Sequence, residues 1–465
     1  MAGSAKYKVR LQFSAKDLLR SLNPVCRVLL EGQTTEKDRE LLRTGPVPQS
    51  PTPTWQEHLR LGIWLWDVRT LRVEIYDTEG EQGVVIASAR VSLGWLLRHA
   101  SGEIQLHPEG KLFIVAELVP DSPSKWLYLK LSARNLRPMD LIGANDPFFV
   151  LSQAVVLYTS EVLDNDLLPR WKPLRLPITP ALASNPLQLS LYDKDFIGSD
   201  HIGSLQTSLL ELTEGGPELR IQDKAGRESG IVRVEVAKVT DEYEFVREMR
   251  TGLALEVCFG VDFGWGSGSF HTESQASNLY YGALSGVAEA LESYTEGPFA
   301  LVGFGGHMSP HIERQSHWSL SSTPLVDTKA LLKAYFHSVS QAIYPFSSKL
   351  LSPLLQEYRL NALPNSGRYY VLVILSSGRF SDLEACKEEL RLLSALPVSL
   401  LLVGIGDISE RETTSLDSNS ALLTSQRGTA VRDCVASAVY PSEKFPRGLL
   451  QALPLHLQDY GCLAT

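Results

Sequence analysis

The chain has 465 residues, about three domains' worth at ordinary domain size, so one compact core is excluded. Hydrophobic residues at 44 %, charged residues at 21 %, 34 Gly and 26 Pro match globular composition and exclude a fibrous or largely disordered chain. The net charge of −9 (44 Lys and Arg against 53 Asp and Glu) argues against a general nucleic-acid binder, which needs clustered basic residues.

The start, MAGSAKYKVR, has no apolar h-region, and the apolar runs fall short of the roughly 20 residues that cross a bilayer. Cys26, Cys258, Cys386, Cys434 and Cys462 are scattered, with no CxxC pair. A protein of the reducing cytosol is expected.

The first half contains an internal repeat. LRVEIYDTEG at 71–80 is echoed by LQLSLYDKDF at 187–196, and Trp55, Tyr76, Asp77, Ile86 and Leu93 recur 116 residues later as Trp171, Tyr192, Asp193, Ile202 and Leu209. Short alternating runs between Gly, Pro, Asn and Asp clusters predict two all-β antiparallel sandwiches, at 1–119 and 124–239, with almost no helix before residue 240. A polar stretch around 239–250 is expected to end the second. From 250 to 465 the pattern predicts an α/β doubly wound domain. Its strands are read at LALEVCFGVDF, FALVGFG, RYYVLVILSS and VSLLLVGIGD, and its helices at 275–294, 327–344, 383–396, 429–438 and 443–459. Ligands of such a sheet sit at the strands' carboxyl ends, which here read DFGWGSGS, GFGGHMS, SSGRFSD and GIGDIS.

The second module carries the sharpest chemistry. Asp140 and Asp146 bracket one loop, MDLIGANDP, and Asp193, Asp195 and Asp200 lie in another, YDKDFIGSD. Five carboxylates on adjacent loops repel one another unless cations lie between them, and Ca²⁺ accepts six to eight oxygens from such a flexible cage. An empty cage is repelled by an anionic leaflet at about 1 kcal/mol per charge, so calcium would act as an electrostatic switch. Leu141, Ile142, Phe196 and Ile197 lie between the acids, placed for insertion into acyl chains. The alternative is that the Asp-rich loops are simple turns with packed apolar residues.

The D-x5-D-P loop, the later D-x-D with a further Asp, and Asn165, Leu167, Pro169 and Trp171 resemble a calcium-binding C2 domain. Asp195 and Asp200 are one residue closer than in many relatives. With YYVLVILSSGRFSD, LPVSLLLVGIGD and AVRDCV, the whole chain resembles the copine family: two C2 domains followed by a von Willebrand A-like domain. The resemblance implies calcium-dependent binding of anionic phospholipid, protein partners through the third domain, and a cytoplasmic protein that reaches the plasma membrane when calcium rises.

The first module departs from that pattern. Asp77 and Glu79 match Asp193 and Asp195, but Val84 stands where Asp200 should, and its first loop is about five residues shorter, with Asn23 in place of Asp146. No tight calcium site is expected there; Asp77 reads as a structural turn residue and the module as a spacer, partner surface or calcium-independent lipid contact.

The resemblance also places a metal at the strand ends of the third domain, through D-x-T-x-S and T-D-G. The chain keeps Asp262 but has Gly264 and Gly266 at the hydroxyl positions and Ser376, Ser377, Gly378 for T-D-G. A degenerate site is expected, with Asp262, Ser267, Ser347 and Ser377 as its remaining donors for Mg²⁺, because hard cations want more anionic oxygen. His307, His311 and His317 lack Cys or carboxylate companions for zinc. No nucleotide loop, nucleophile elbow or activated Cys is visible, so no enzyme and no small-molecule substrate are expected. Arg170, Lys172 and Arg175 form either a basic strand face for acidic headgroups or an ordinary solvated edge. The ending Cys-Leu-Ala-Thr fits a prenylation signal poorly.

Overall fold

The computed structural model describes residues 6–18, 23–32, 36–77, 84–120, 125–139, 144–264, 270–272, 274–307, 316–341, 344–345, 349–406, 415–417 and 421–463. The fold class is the expected one: two antiparallel β-sandwiches, then a mixed sheet with helices on both faces.

In the first sandwich, one sheet runs in the order Leu59–Trp64, Lys6–Lys16, Lys111–Leu118, Ser101–Gln105, and the other Arg39–Arg43, Pro24–Leu30, Thr70–Asp77, Val84–Ser92. In the second, the strands pair in the order Val156–Thr159, Pro147–Ser152, Leu187–Lys194, Ser199–Thr207, Glu218–Gln222, Glu228–Asp241, Lys125–Arg134, Leu174–Pro177. Period-two patterning builds these sheets: Leu187, Leu189 and Leu191 point into the core while Gln188 stays outside.

One tryptophan anchors each sandwich. The buried indole N–H of Trp55 donates to the Pro24 carbonyl (3.1 Å), and that of Trp171 to the Pro147 carbonyl (3.3 Å). The repeat is thus physical as well as textual. The offset is 118 between Ser14 and Ser132 but 123 between Pro24 and Pro147, so the first loop of the first module is five residues shorter.

The second sandwich extends past the expected boundary at 239. Strand Glu228–Asp241 stays paired to Lys125–Arg134 as far as Lys125 opposite Asp241, where the two side chains form an ion pair at 3.0 Å. The expected polar linker is largely helix Glu244–Arg250, which buries Phe245, Val246 and Met249. Three short helices, Leu93–Arg98, Pro180–Ser184 and Leu209–Glu214, also interrupt the sandwiches, each opened by a Ser or Thr side chain accepting a backbone N–H.

In the third domain the order is His317–Ser319, Ala300–Phe304, Ala254–Asp262, Arg368–Ser376, Val398–Ile405, Val435–Tyr440; all neighbours are parallel except the first edge strand. Helices Leu279–Glu292, Thr328–Val339 and Leu453–Leu463 cover one face and Ser352–Asn361 and Leu383–Leu393 the other. One expectation is corrected and one element is added. The segment read as a helix at 429–438 forms strand Val435–Tyr440, because VASAVY presents β-branched residues to a ladder with Leu400–Ile405. Helix Ser352–Asn361 lies in a stretch to which the sequence pattern assigns no element; Pro353 in its first turn fits a helix start.

The modules attach to the third domain differently. The first shares one continuous apolar core with helix Glu244–Arg250 and the third sheet, and Arg250 donates to the carbonyls of Leu97 (2.7 Å) and Leu96 (2.8 Å). The second keeps its own core and docks through polar contacts: Arg175 to Asp459 (2.6 Å), Lys172 to Asp433 (3.4 Å), and the Lys130 ammonium to the Val431 carbonyl.

Candidate functional site

The candidate calcium site lies at one end of the second sandwich. Strand Leu187–Lys194 continues its inward row onto Asp193, which is 1 % exposed, so a carboxylate ends a column of leucines. Asp193 pairs with Pro147 on one side and Asp200 on the other. Directly opposed residues of an antiparallel pair project to the same face, so Asp193 and Asp200 share one despite the short spacing noted in the sequence. Half-buried Asp195 follows two residues after Asp193.

Asp146 joins this group through its backbone, whose N–H donates to Asp193 Oδ1 at 2.6 Å. Its own Oδ1 accepts the Asn165 N–H at 2.7 Å. Asn165 sits at φ +52°, a left-handed position that Asn tolerates, and its Oδ1 accepts the Ala144 N–H at 3.3 Å.

Fully buried Asn145 was not singled out in the sequence. Its Nδ2 donates to the Arg137 carbonyl (2.9 Å) and its Oδ1 accepts the Met139 N–H (3.0 Å), fixing the flanks of the loop that carries Asp140. Its only signal was an amide beside the D-P pair. Asp140, Leu141 and Ile142 lie outside the described residues. Among the described residues, no group of three or more His, Cys, Asp or Glu has metal-holding geometry. The structure therefore brings Asp146, Asp193 and Asp200 to one end without completing a ligand set from them.

The donor chemistry fits Ca²⁺: carboxylate oxygens on paired strands, with Arg137, Lys172 and Arg175 engaged by Asp223, Asp433 and Asp459 instead. Beyond the acids, Phe196 and Ile197 are 102 % and 89 % exposed, and Gly198, at φ +99°, turns the chain back. Neither side chain belongs to the core of the second sandwich.

The first module repeats the scaffold without the acids. The Asn23 N–H donates to Asp77 Oδ1 (3.3 Å), the counterpart of the Asp146–Asp193 bond. Opposite Asp77 stands Val84, 64 % exposed, where the second module has Asp200. Glu79 lies outside the described residues.

The basic strand face offered as a headgroup site is corrected in part. Lys172 and Arg175 are committed to Asp433 and Asp459 of the third domain, and only Arg170 of the three is exposed. Burial between the domains pushes the Asp459 carboxyl up, and the Arg175 guanidinium opposes that shift.

At the third domain's strand ends, Asp262 is fully buried and saturated with donors. Oδ1 accepts the Gly264 N–H at 2.7 Å; Oδ2 accepts from Lys349 Nζ at 2.7 Å, Ser376 Oγ at 2.8 Å and the Ser377 N–H at 3.3 Å. Lys349 was missed in the sequence, where it is one basic residue in FSSKLLSPLL. Ser377 is in place, 3.4 Å from the ammonium, while Ser267 and Ser347 lie outside the described residues. These residues do not fit Mg²⁺: a cation is already bonded to the carboxylate.

His317 pairs with Glu357 and Ser316 rather than with other histidines. Among the described residues no helix is long and apolar enough to cross a membrane.

Comparison with known proteins agrees with this architecture. The C2 domain model matches residues 9–107 and 129–222, and the copine model matches residues 269–443. Solved structures similar to the chain include a calcium-bound pair of C2 domains from extended synaptotagmin 2, 16 % identical, covering 50 % of this chain and 97 % of that one, TM-score 0.22. Another, titled BON1-C2B, is 24 % identical over 25 % of this chain and 92 % of that one, TM-score 0.23. The C2A domain of a plant extended synaptotagmin 1 is 19 % identical over 25 % and 93 %, TM-score 0.22. Two C2 domain matches in tandem ahead of a copine domain match are the architecture of the copine family.

Proposed function

We propose that this chain is a calcium-dependent phospholipid-binding protein that is recruited to anionic membranes through its second C2 module and presents its third domain to protein partners. C2 and copine domains support calcium and phospholipid binding at a membrane surface. The observation that carries the assignment to the second module is the contrast at one strand position: Asp193 faces Asp200, whereas Asp77 faces Val84.

In this reading Asp140, Asp146, Asp193, Asp195 and Asp200 hold calcium. The bound ion neutralises their charge and offers coordination to phosphate oxygens of the leaflet. Without it the carboxylates oppose approach by about 1 kcal/mol per charge. Phe196 and Ile197, with Leu141 and Ile142 between Asp140 and Asp146 in the sequence, enter the acyl region, each contributing about 1.5–3 kcal/mol if fully buried. The first module, sharing its core with the third domain, acts as a bracket. The chemistry required is coordination, charge and burial, with no enzymatic step, and the target is the cytoplasmic face of the plasma membrane.

Calorimetric titration of the full chain with Ca²⁺ tests the ligand assignment. Asp193→Asn is expected to remove most of the binding heat and Asp77→Asn to leave it unchanged. Equal loss from both would reject a single competent module, and lipid binding that persists in chelator would favour a calcium-independent scaffold.

A further inference from the structure

We infer that the ammonium of Lys349 is a tethered cation standing where a divalent metal would sit at the strand ends of the third domain, which makes this end of the domain independent of metal. Asp262 is a carboxylate with no exposure at all, and a charge so buried persists only when paired and hydrogen-bonded. Lys349 supplies the pairing from a side chain that is itself only 8 % exposed. Ser376, Ser377 and Gly264 supply the hydrogen bonds.

The lysine is held there by its own backbone. Its N–H donates to Ser381 Oγ (3.1 Å) and its carbonyl accepts the Ser381 N–H (2.8 Å), tying it to the loop after strand Arg368–Ser376. The Leu351 and Ser352 N–H groups bond the Asp382 carboxylate at 3.1 and 2.8 Å, fixing the start of the following helix.

The residues that departed from the expected metal motif are those that admit the lysine. A Cβ at Gly264 would lie 2.8 Å from Lys349 Cγ and 3.0 Å from Asp262 Oδ1, so the Thr of a D-x-T motif cannot coexist with this stem. Gly378, the one residue of T-D-G that the chain keeps, also leaves the ammonium room, since a Cβ there would stand 3.1 Å from it. Ser377, at the second acidic position of the motif, leaves one positive and one negative charge. A divalent ion and the lysine would compete for the same carboxylate oxygen. Calcium sensitivity of the chain then resides outside this site, and any partner meets the same strand-end surface at every cation concentration.

Thermal unfolding of the full chain tests this, in an Asp193→Asn background so that the second module's response to cations is suppressed. With Lys349 present, millimolar MgCl₂ or MnCl₂ is expected to leave the melting temperature where chelator leaves it. Lys349→Met strands the buried carboxylate and is expected to lower the melting temperature by several degrees, with Mn²⁺ recovering part of the loss. Should that variant not fold, Asp262→Asn/Lys349→Met, which removes both charges, is expected to be markedly more stable than the sum of the single losses predicts. Gly264→Thr is expected to be costly with Lys349 present and tolerated with Lys349→Ala. A melting shift by Mg²⁺ in the Lys349-intact chain that disappears with Asp262→Asn would overturn the inference, and so would additive losses in the double variant.

Discussion

Arg175 and Asp459 join the second sandwich to the C-terminal helix of the third domain: the guanidinium Nη2 lies 2.6 Å from the carboxylate and also donates to the Leu455 carbonyl at 3.1 Å. A residue that the sequence leaves open between a headgroup-binding face and a solvated edge therefore pins the two domains together. Removing Arg175 leaves Asp459 buried without its partner, so Arg175→Ala is expected to weaken the docking by about 2–5 kcal/mol. Asp459→Asn is expected to cost less, since burial already disfavours its charged form. Hydrogen exchange along helix Leu453–Leu463 and strand Leu174–Pro177 reads the difference, and unchanged protection in Arg175→Ala would reject the pin.

Exposed Phe196 and Ile197 lead to a second expectation. Replacing both with Ala should lower membrane affinity roughly 10- to 1,000-fold, as expected for two large side chains losing partial burial. Calcium affinity in the absence of lipid should stay the same, because neither side chain offers an oxygen. Residual binding should become more sensitive to salt, as headgroup attraction alone is screened over about 8 Å at physiological ionic strength. Titration with phosphatidylserine vesicles at two salt concentrations decides it; equal affinity for both proteins would reject insertion.

A pH effect follows from His456, wholly buried beneath strand Val398–Ile405 with its Nδ1 3.2 Å from Ser399 Oγ. Burial pushes its imidazole down to about 4 from an ordinary 6.5. Between those values the unfolded chain takes up the proton and the folded chain does not, so stability falls as pH drops, by up to about 1.4 kcal/mol per pH unit. His456→Gln is expected to flatten this slope of the melting temperature between pH 6.5 and 4. An unchanged slope would show that His456 titrates alike in both states.

The repeat and the fold class were legible because domain-scale signals are local and redundant: Trp55 and Trp171 directly follow equivalent bridge residues, Thr54 and Arg170, and bond the carbonyls of equivalent prolines. What the sequence hid was long-range. Lys349 and Asp262 are 87 residues apart, and nothing in FSSKLL marks a cation aimed at a distant strand end. VASAVY carries alanines that read as helix until a parallel neighbour is available to pair with it. Arg170, Lys172 and Arg175 look alike in sequence, and only packing against the third domain separates the exposed residue from the two engaged ones.

Co-sedimentation of the full chain with phosphatidylserine liposomes, in calcium and in chelator, tests the central claim most directly. The account predicts calcium-dependent sedimentation that Asp193→Asn or Asp195→Asn abolishes and Asp77→Asn preserves. Sedimentation in chelator equal to that in calcium, or equal loss from Asp77→Asn and Asp193→Asn, would contradict it.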